Sequence, residues 1–88
     1  MWKIIQGFEN YSVSSEGEVR NNKTGKILSP SPSAGGYLKV NLRKNKTSYS
    51  RYVHRLVAEN CLEGEGEVNH LDGNRQNNRL ENLEWTSH

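Results

Sequence analysis

The chain has 88 residues, 12 Lys/Arg against 10 Asp/Glu, and a hydrophobic share of only 32%. That length allows one small domain or two subdomains on a shared core, and so thin a core gains from a metal, a nucleic acid or a second chain. No apolar run reaches transmembrane length and the start shows no secretory h-region, so no membrane partner is expected; a single cysteine, Cys61, cannot close an internal disulfide and suits a reducing cytoplasm. The charge is uneven. Residues 1–58 carry ten basic residues and three Glu, whereas residues 59–88 carry two Arg against six Glu and one Asp. A basic half points to a polyanionic partner, and an acidic half beside a metal site would favour cation recruitment.

Residues 2–28 read as short strands broken by turns: Tyr11–Ser14, Glu18–Asn21 and Lys26–Leu28, with Glu16–Gly17 and Thr24–Gly25 as turn chemistry. Ser29–Gly36, with two prolines and two glycines, reads as a loop. Tyr37–Arg43 then alternates strictly, placing Leu38, Val40 and Leu42 on one face and Lys39, Asn41 and Arg43 on the other. Lys44–Asn45–Lys46 supplies a turn and Thr47–Val53 a return strand, either side of which makes a plausible outer face. His54–Leu62 shifts to helical spacing, with Val53, Leu56, Val57 and Cys61 near one stripe and Arg55–Glu59 as an i,i+4 pair. Gly64 and Gly66 end that helix. His54, at its start, reads as a cap or packing residue, and Trp2, Phe8, Tyr11 and Trp85 read as core rather than as stacking platforms for bases.

Two constellations carry chemistry. From Gly36 to Arg55 there are six basic residues and no acidic one. A two-stranded ribbon fits the DNA major groove, where Asn and Arg reach base edges and Lys neutralises phosphate; Lys39, Asn41, Arg43, Lys44, Lys46 and Arg51 are the expected DNA-binding residues. Tyr37, Tyr49 and Tyr52 add hydroxyl donors for backbone oxygens. The second constellation is VNHLDGNRQNNRLENLEW, Val68–Trp85. It sets Asn69–His70 at the end of a short strand, follows them with a polar loop, and returns through Asn82 into Leu83–Glu84–Trp85. Phosphodiester hydrolysis needs an activated water and neutralisation of developing charge. An imidazole titrating near neutrality can supply the first and one divalent cation the second.

Val53–Leu62 (VHRLVAENCL) followed by Val68–Trp85 resembles the HNH subgroup of phage and intron-encoded homing endonucleases, and Trp2–Asn21 resembles the nuclease-associated module that often precedes it. The resemblance implies an α+β fold: a small β-rich N-terminal module, residues 1–52, and a ββα-metal hairpin, residues 53–88, whose final helix would begin around His88 and is therefore truncated. It implies His70 as general base, Asn69 as first metal ligand, Asn82 as the residue that braces the loop and helps orient the base, and no assignable chemistry for Asp72–Asn78. The implied cofactor is a divalent metal, Mg²⁺ or else Mn²⁺. The implied partner is double-stranded DNA, with a homodimer or a helix-donating partner as a way to complete the fold. The expected function is a metal-dependent DNA endonuclease acting in the cytoplasm of a bacterial host and encoded by a phage or mobile element. The alternatives are a catalytically impaired DNA-binding or regulatory descendant of such a nuclease, and an interaction protein completed by its partner.

Overall fold

Local turn chemistry and apolar alternation account for most of the elements. The computed structural model describes residues 2–86. The first sheet is an antiparallel meander of β1 (Trp2–Ile5), β2 (Phe8–Ser14) and β3 (Val19–Asn21). The second contains β4 (Ser31–Pro32), β5 (Leu38–Lys44) and β6 (Thr47–Tyr52); the third is the hairpin of β7 (Glu67–His70) with β8 (Leu83–Thr86). Helix α1 (Val53–Cys61) follows β6 directly, and a 3₁₀ turn (Leu80–Asn82) leads into β8.

Two of the expected elements differ. Lys26–Leu28 forms no strand, only an isolated bridge between Ile27 and Arg20. Within Ser29–Gly36, Ser31 and Pro32 pair with Lys39 and Leu38 as a short edge strand. Proline, which has no N–H to donate, is tolerated at such an edge.

The β5–β6 turn is the two-residue loop Asn45–Lys46, with φ of 52° and 67°. Left-handed backbone at both positions matches the twist of the flanking strands. Register settles the return strand. Leu42 faces Tyr49 and Val40 faces Arg51, so Tyr49 and Arg51 lie on the inner side, while Ser48, Ser50 and Tyr52 share the outer side with Arg43, Asn41 and Lys39.

One apolar cluster joins the sheets through α1: Ile5, Tyr11, Val13 and Val19 from the first, Val40 and Leu42 from the second, Val53, Leu56 and Val57 from the helix, and Leu83 from the third. The helix has no side-chain cap and no acidic residue in its first turn. Its Arg55–Glu59 pair at 2.9 Å is exposed and worth at most about 0.5 kcal/mol. Burial of the Val53–Leu56–Val57–Ala58 face therefore holds it, each large apolar side chain contributing about 1.5–3 kcal/mol. The Tyr11 hydroxyl accepts the Arg43 N–H at 3.1 Å and ties the first sheet to the second.

Among the aromatics expected in the core, only Tyr11 is fully buried. Trp2 is half-buried under the Arg20 guanidinium at 4.3 Å, outside the apolar cluster. Phe8 packs on the rim, and Trp85 is half-buried with its indole N–H donating to Leu62 O at 2.9 Å. No helix among the described residues is long and apolar enough to cross a membrane.

Candidate active site and nucleic-acid face

Strand β7 delivers Asn69 and His70 to the mouth of the 71–79 loop, and strand alternation sends them to opposite faces. His70 lies opposite Leu83 and is 7% exposed, whereas Asn69 lies opposite Glu84 on the exposed face, its Nδ2 donating to Glu84 Oε1 at 2.9 Å. Asn69 Oδ1 has no protein donor among the described residues. With its N–H on Glu84, the Asn69 amide turns its carbonyl oxygen away from that carboxylate; Mg²⁺ characteristically takes one or two protein oxygens and fills the rest of its shell with water and phosphate. Asn69 Oδ1 is thus one oxygen donor open to such an ion, on the strand face opposite His70, and no group of three His, Cys, Asp or Glu suited to a metal occurs among the described residues. The final helix expected to begin around His88 lies outside them.

The loop between the strands is held by its own amides. Asp72 Oδ1 accepts the Asn74 N–H at 2.8 Å and Asn82 Nδ2 at 2.9 Å, and Asp72 Oδ2 accepts Asn77 Nδ2 at 2.9 Å. These bonds, the Asn77 amide foremost, then the Asn74 N–H and the Asn82 amide, hold the Asp72 carboxyl below its usual range. Asn82 also accepts the Asp72 N–H at 3.1 Å and donates to Asn77 O at 2.9 Å. It braces the loop from the 3₁₀ turn.

The imidazole is met by a different asparagine. His70 Nε2 is 2.8 Å from Asn78 Oδ1, in a buried contact. With Asn78 Oδ1 as the partner atom, the contact is a hydrogen bond in the tautomer that carries its proton on Nε2. Asn78 belongs to the segment in which the sequence shows no assignable chemistry. Nothing in its spacing separates it from Asn74 or Asn77, since the choice depends on how the loop folds.

Around His70 the rings form a cluster. The His54 ring is 5.1 Å from His70, Tyr37 is 4.9 Å from His54 and 5.8 Å from His70, and Tyr52 is 5.5 Å from His54. Burial first, then the neighbouring His70 and Arg55, hold the His54 imidazole down to about 4. His54 is a packing residue, as expected, set among Tyr37, His70 and Tyr52. Tyr37, Tyr52, His54, Arg55, Glu67 and Val68 line a cleft of about 450 Å³.

The expected DNA-binding residues divide between two faces. Lys39, Asn41 and Arg43 share the outer side with Tyr52, which register sets opposite Lys39. That side therefore runs into the cleft beside His54 and His70. Lys44 and Arg51 lie on the other side: Lys44 Nζ donates to Gly7 O at 2.7 Å, and the Arg51 guanidinium stacks 5.3 Å from both Phe8 and Tyr49. Lys46 is at the exposed turn. Sequence alternation placed the first three correctly relative to one another but could not order the return strand.

Comparison with known proteins matches residues 1–43 to the NUMOD4 motif and residues 51–88 to the HNH endonuclease family. The solved structure of the HNH homing endonuclease I-HmuI, a study of its DNA binding and cleavage, superposes on 99% of this chain with a TM-score of 0.92 and 42% identity. Residues 51–88 belong to the HNH endonuclease family. The chain is also 42% identical to the DNA endonuclease I-HmuI of Bacillus phage SP01 over 90 residues, and 44% identical over 90 residues to an uncharacterised HNH endonuclease of Acanthamoeba polyphaga mimivirus. It is 34% identical over 87 residues to the H-N-H endonuclease F-TflII of Escherichia phage T5. These matches cover 98%, 99% and 93% of this chain but 52%, 27% and 45% of the relatives, so the chain spans about half their length or less. Both the α+β fold and the HNH resemblance expected from the sequence are found.

Proposed function

We propose that this chain carries the catalytic part of a metal-dependent DNA endonuclease that hydrolyses phosphodiester bonds in duplex DNA, with His70 as general base. The observation that carries this reading is the His70–Asn78 contact at the end of the cationic hairpin face. Asn78 Oδ1 engages Nε2 and so presents Nδ1 as the base that takes a proton from water. Burial between Tyr37 and His54 restricts the ring to that seat. Asn82 keeps the loop closed over it.

Asn69, braced by Glu84, would hold the divalent cation, Mg²⁺ or Mn²⁺. When bound, the ion neutralises charge developing on the phosphate and on the leaving oxygen. Lys39, Asn41 and Arg43 would follow the DNA backbone and reach base edges, with Lys46 adding charge at the hairpin tip. Lys44 and Arg51 support the ribbon against Phe8 and contribute to the field around it. The phage and mimivirus relatives favour action on DNA inside an infected host cell, bacterial in the phage case.

Conversion of supercoiled plasmid to open circles tests the reading. Nicking is expected with Mg²⁺ or Mn²⁺ and not with chelator, and plasmid left intact by the natural protein with either ion would refute it.

A further inference from the structure

The N-terminal module reaches the candidate active site through a turn that the nuclease reading leaves unused. Between β2 and β3 the chain reverses over Ser15–Gly17, and that reversal is stiff. Ser14 Oγ accepts the N–H groups of Glu16 and Glu18, both at 3.2 Å; Gly17 N–H donates to Ser14 O at 3.0 Å, and Ser14 N–H donates to Glu18 O at 2.8 Å. Ser14 itself is 2% exposed.

This turn abuts the segment that carries Asn78. Gly17 has φ of +85°, and a Cβ there would meet Asn78 O at 2.8 Å, Asn78 C at 2.9 Å and Asn78 Cβ at 3.1 Å. Only glycine permits both that backbone conformation and that approach. One residue on, Arg79 pairs with Glu16 at 3.3 Å, and one further, Leu80 N–H donates to Ser15 O at 2.8 Å. Three consecutive residues of the nuclease loop are thus seated on three consecutive residues of the N-terminal turn. Asn78 is 5% exposed, and its Oδ1 is the atom that meets His70 Nε2. Its Nδ2 is buried without a partner, so the amide is held by its backbone seat and by His70 rather than by a bond of its own.

We infer that the β2–β3 turn of the N-terminal module is a positioning element of the active site: Ser15–Gly17 seats residues 78–80, and Asn78 in turn fixes the orientation and tautomer of His70. The module is then part of the catalytic apparatus and not only an attached DNA-binding unit. The catalytic consequence rests on His70 being the general base; the structural link does not.

The test uses a matched pair of glycines. Gly7 has φ of +87°, nearly that of Gly17, but nothing lies within 4 Å of an added Cβ. Gly7→Ala therefore imposes similar backbone strain without touching the loop. Imidazole ¹⁵N correlation spectra of His70 should show the Nε2-protonated tautomer in the parent and in Gly7→Ala. Gly17→Ala should show mixed tautomers and lose the protected Nε2–H signal, as should Asn78→Ala, while Asn78→Asp, which retains an acceptor oxygen, should keep it. In plasmid nicking, Gly17→Ala should lower kcat about 10- to 100-fold with little change in DNA affinity, the signature of a misplaced base. A parent-like His70 spectrum in Gly17→Ala, or an equal disturbance in Gly7→Ala, overturns the inference. If Gly17→Ala fails to fold, Glu16→Lys sets like charges against Arg79 on an exposed turn and should partly mix the tautomers; no change there overturns it as well. A parent that holds the tautomer but cuts no DNA would refute the nuclease reading and leave the positioning role standing.

Discussion

Replacing Asn82 by alanine should loosen the nuclease loop more than any exposed substitution in it. The Asn82 side chain is 8% exposed and makes three hydrogen bonds, accepting the Asp72 N–H and donating to Asp72 Oδ1 and to Asn77 O. Intramolecular hydrogen bonds contribute about 1 kcal/mol net each, and more when the partner is ionised. Water reaches the exposed partners once the amide is gone, which offsets part of the loss, so Asn82→Ala should cost about 2–3 kcal/mol. For a domain of this size that lowers Tm by roughly 10–20 °C. Asn82→Asp sharpens the test. It keeps an acceptor for the Asp72 N–H but sets a carboxylate where an amide now lies 2.9 Å from the Asp72 carboxylate. Two facing carboxylates raise each other's pKa, so this variant should regain stability relative to the parent as pH falls and one of them protonates. Urea unfolding followed by fluorescence at neutral and mildly acid pH measures both effects. An alanine variant within about 0.5 kcal/mol of the parent, the range of ordinary surface substitutions, would refute the bracing role.

Lys39→Glu, Arg43→Glu and Lys46→Glu together should abolish retention on duplex DNA at low salt, and the parent's affinity should fall steeply with salt; equal retention by the triple variant would make the hairpin a scaffold. The His54 imidazole titrates at about 4 in the fold against 6.5 ordinarily, so between those pH values the unfolded chain binds more protons and stability falls as pH drops, by up to about 3 kcal/mol. His54→Phe should flatten that slope, and an unchanged pH profile of unfolding would count against the burial argument. Gly64 has φ of +133° and an added Cβ would lie 2.5 Å from Trp85 Cδ1, so Gly64→Ala should displace the indole from Leu62 O and shift its emission to the red; parent-like emission would contradict the packing described. Leu42→Ala, at a fully buried position between the sheets, should cost about 3–4 kcal/mol in urea unfolding, and a cost under about 1 kcal/mol would show that the core lies elsewhere.

The sequence made the hairpin legible because Leu38, Val40 and Leu42 alternate with polar residues and Asn45 supplies left-handed backbone at the turn. Helix α1 was legible from the spacing of Val53, Leu56 and Val57, and its observed start is one residue earlier than expected because Val53 is buried with them. The Asn69–His70 strand end and the bracing place of Asn82 followed from the family resemblance. Asn78 did not, because three asparagines share the 71–79 loop and only its folded path decides which amide meets the imidazole. The pairing of Ser31–Pro32 was hidden by proline, which reads as a loop and is equally at home at a sheet edge. The seating of residues 78–80 on Ser15–Gly17 joins positions more than sixty apart and leaves one local trace, a glycine that any turn would explain.

The central claim is that His70 is the group that activates water and that its chemistry is separable from DNA binding. Plasmid nicking and DNA retention measured side by side for the natural protein and its His70→Ala variant test it most directly. The account predicts metal-dependent nicking by the parent, loss of nicking in the variant, and nearly unchanged retention on DNA, because the cationic face at Lys39, Asn41 and Arg43 is carried by a different hairpin. Nicking by His70→Ala at the parent's rate would contradict it.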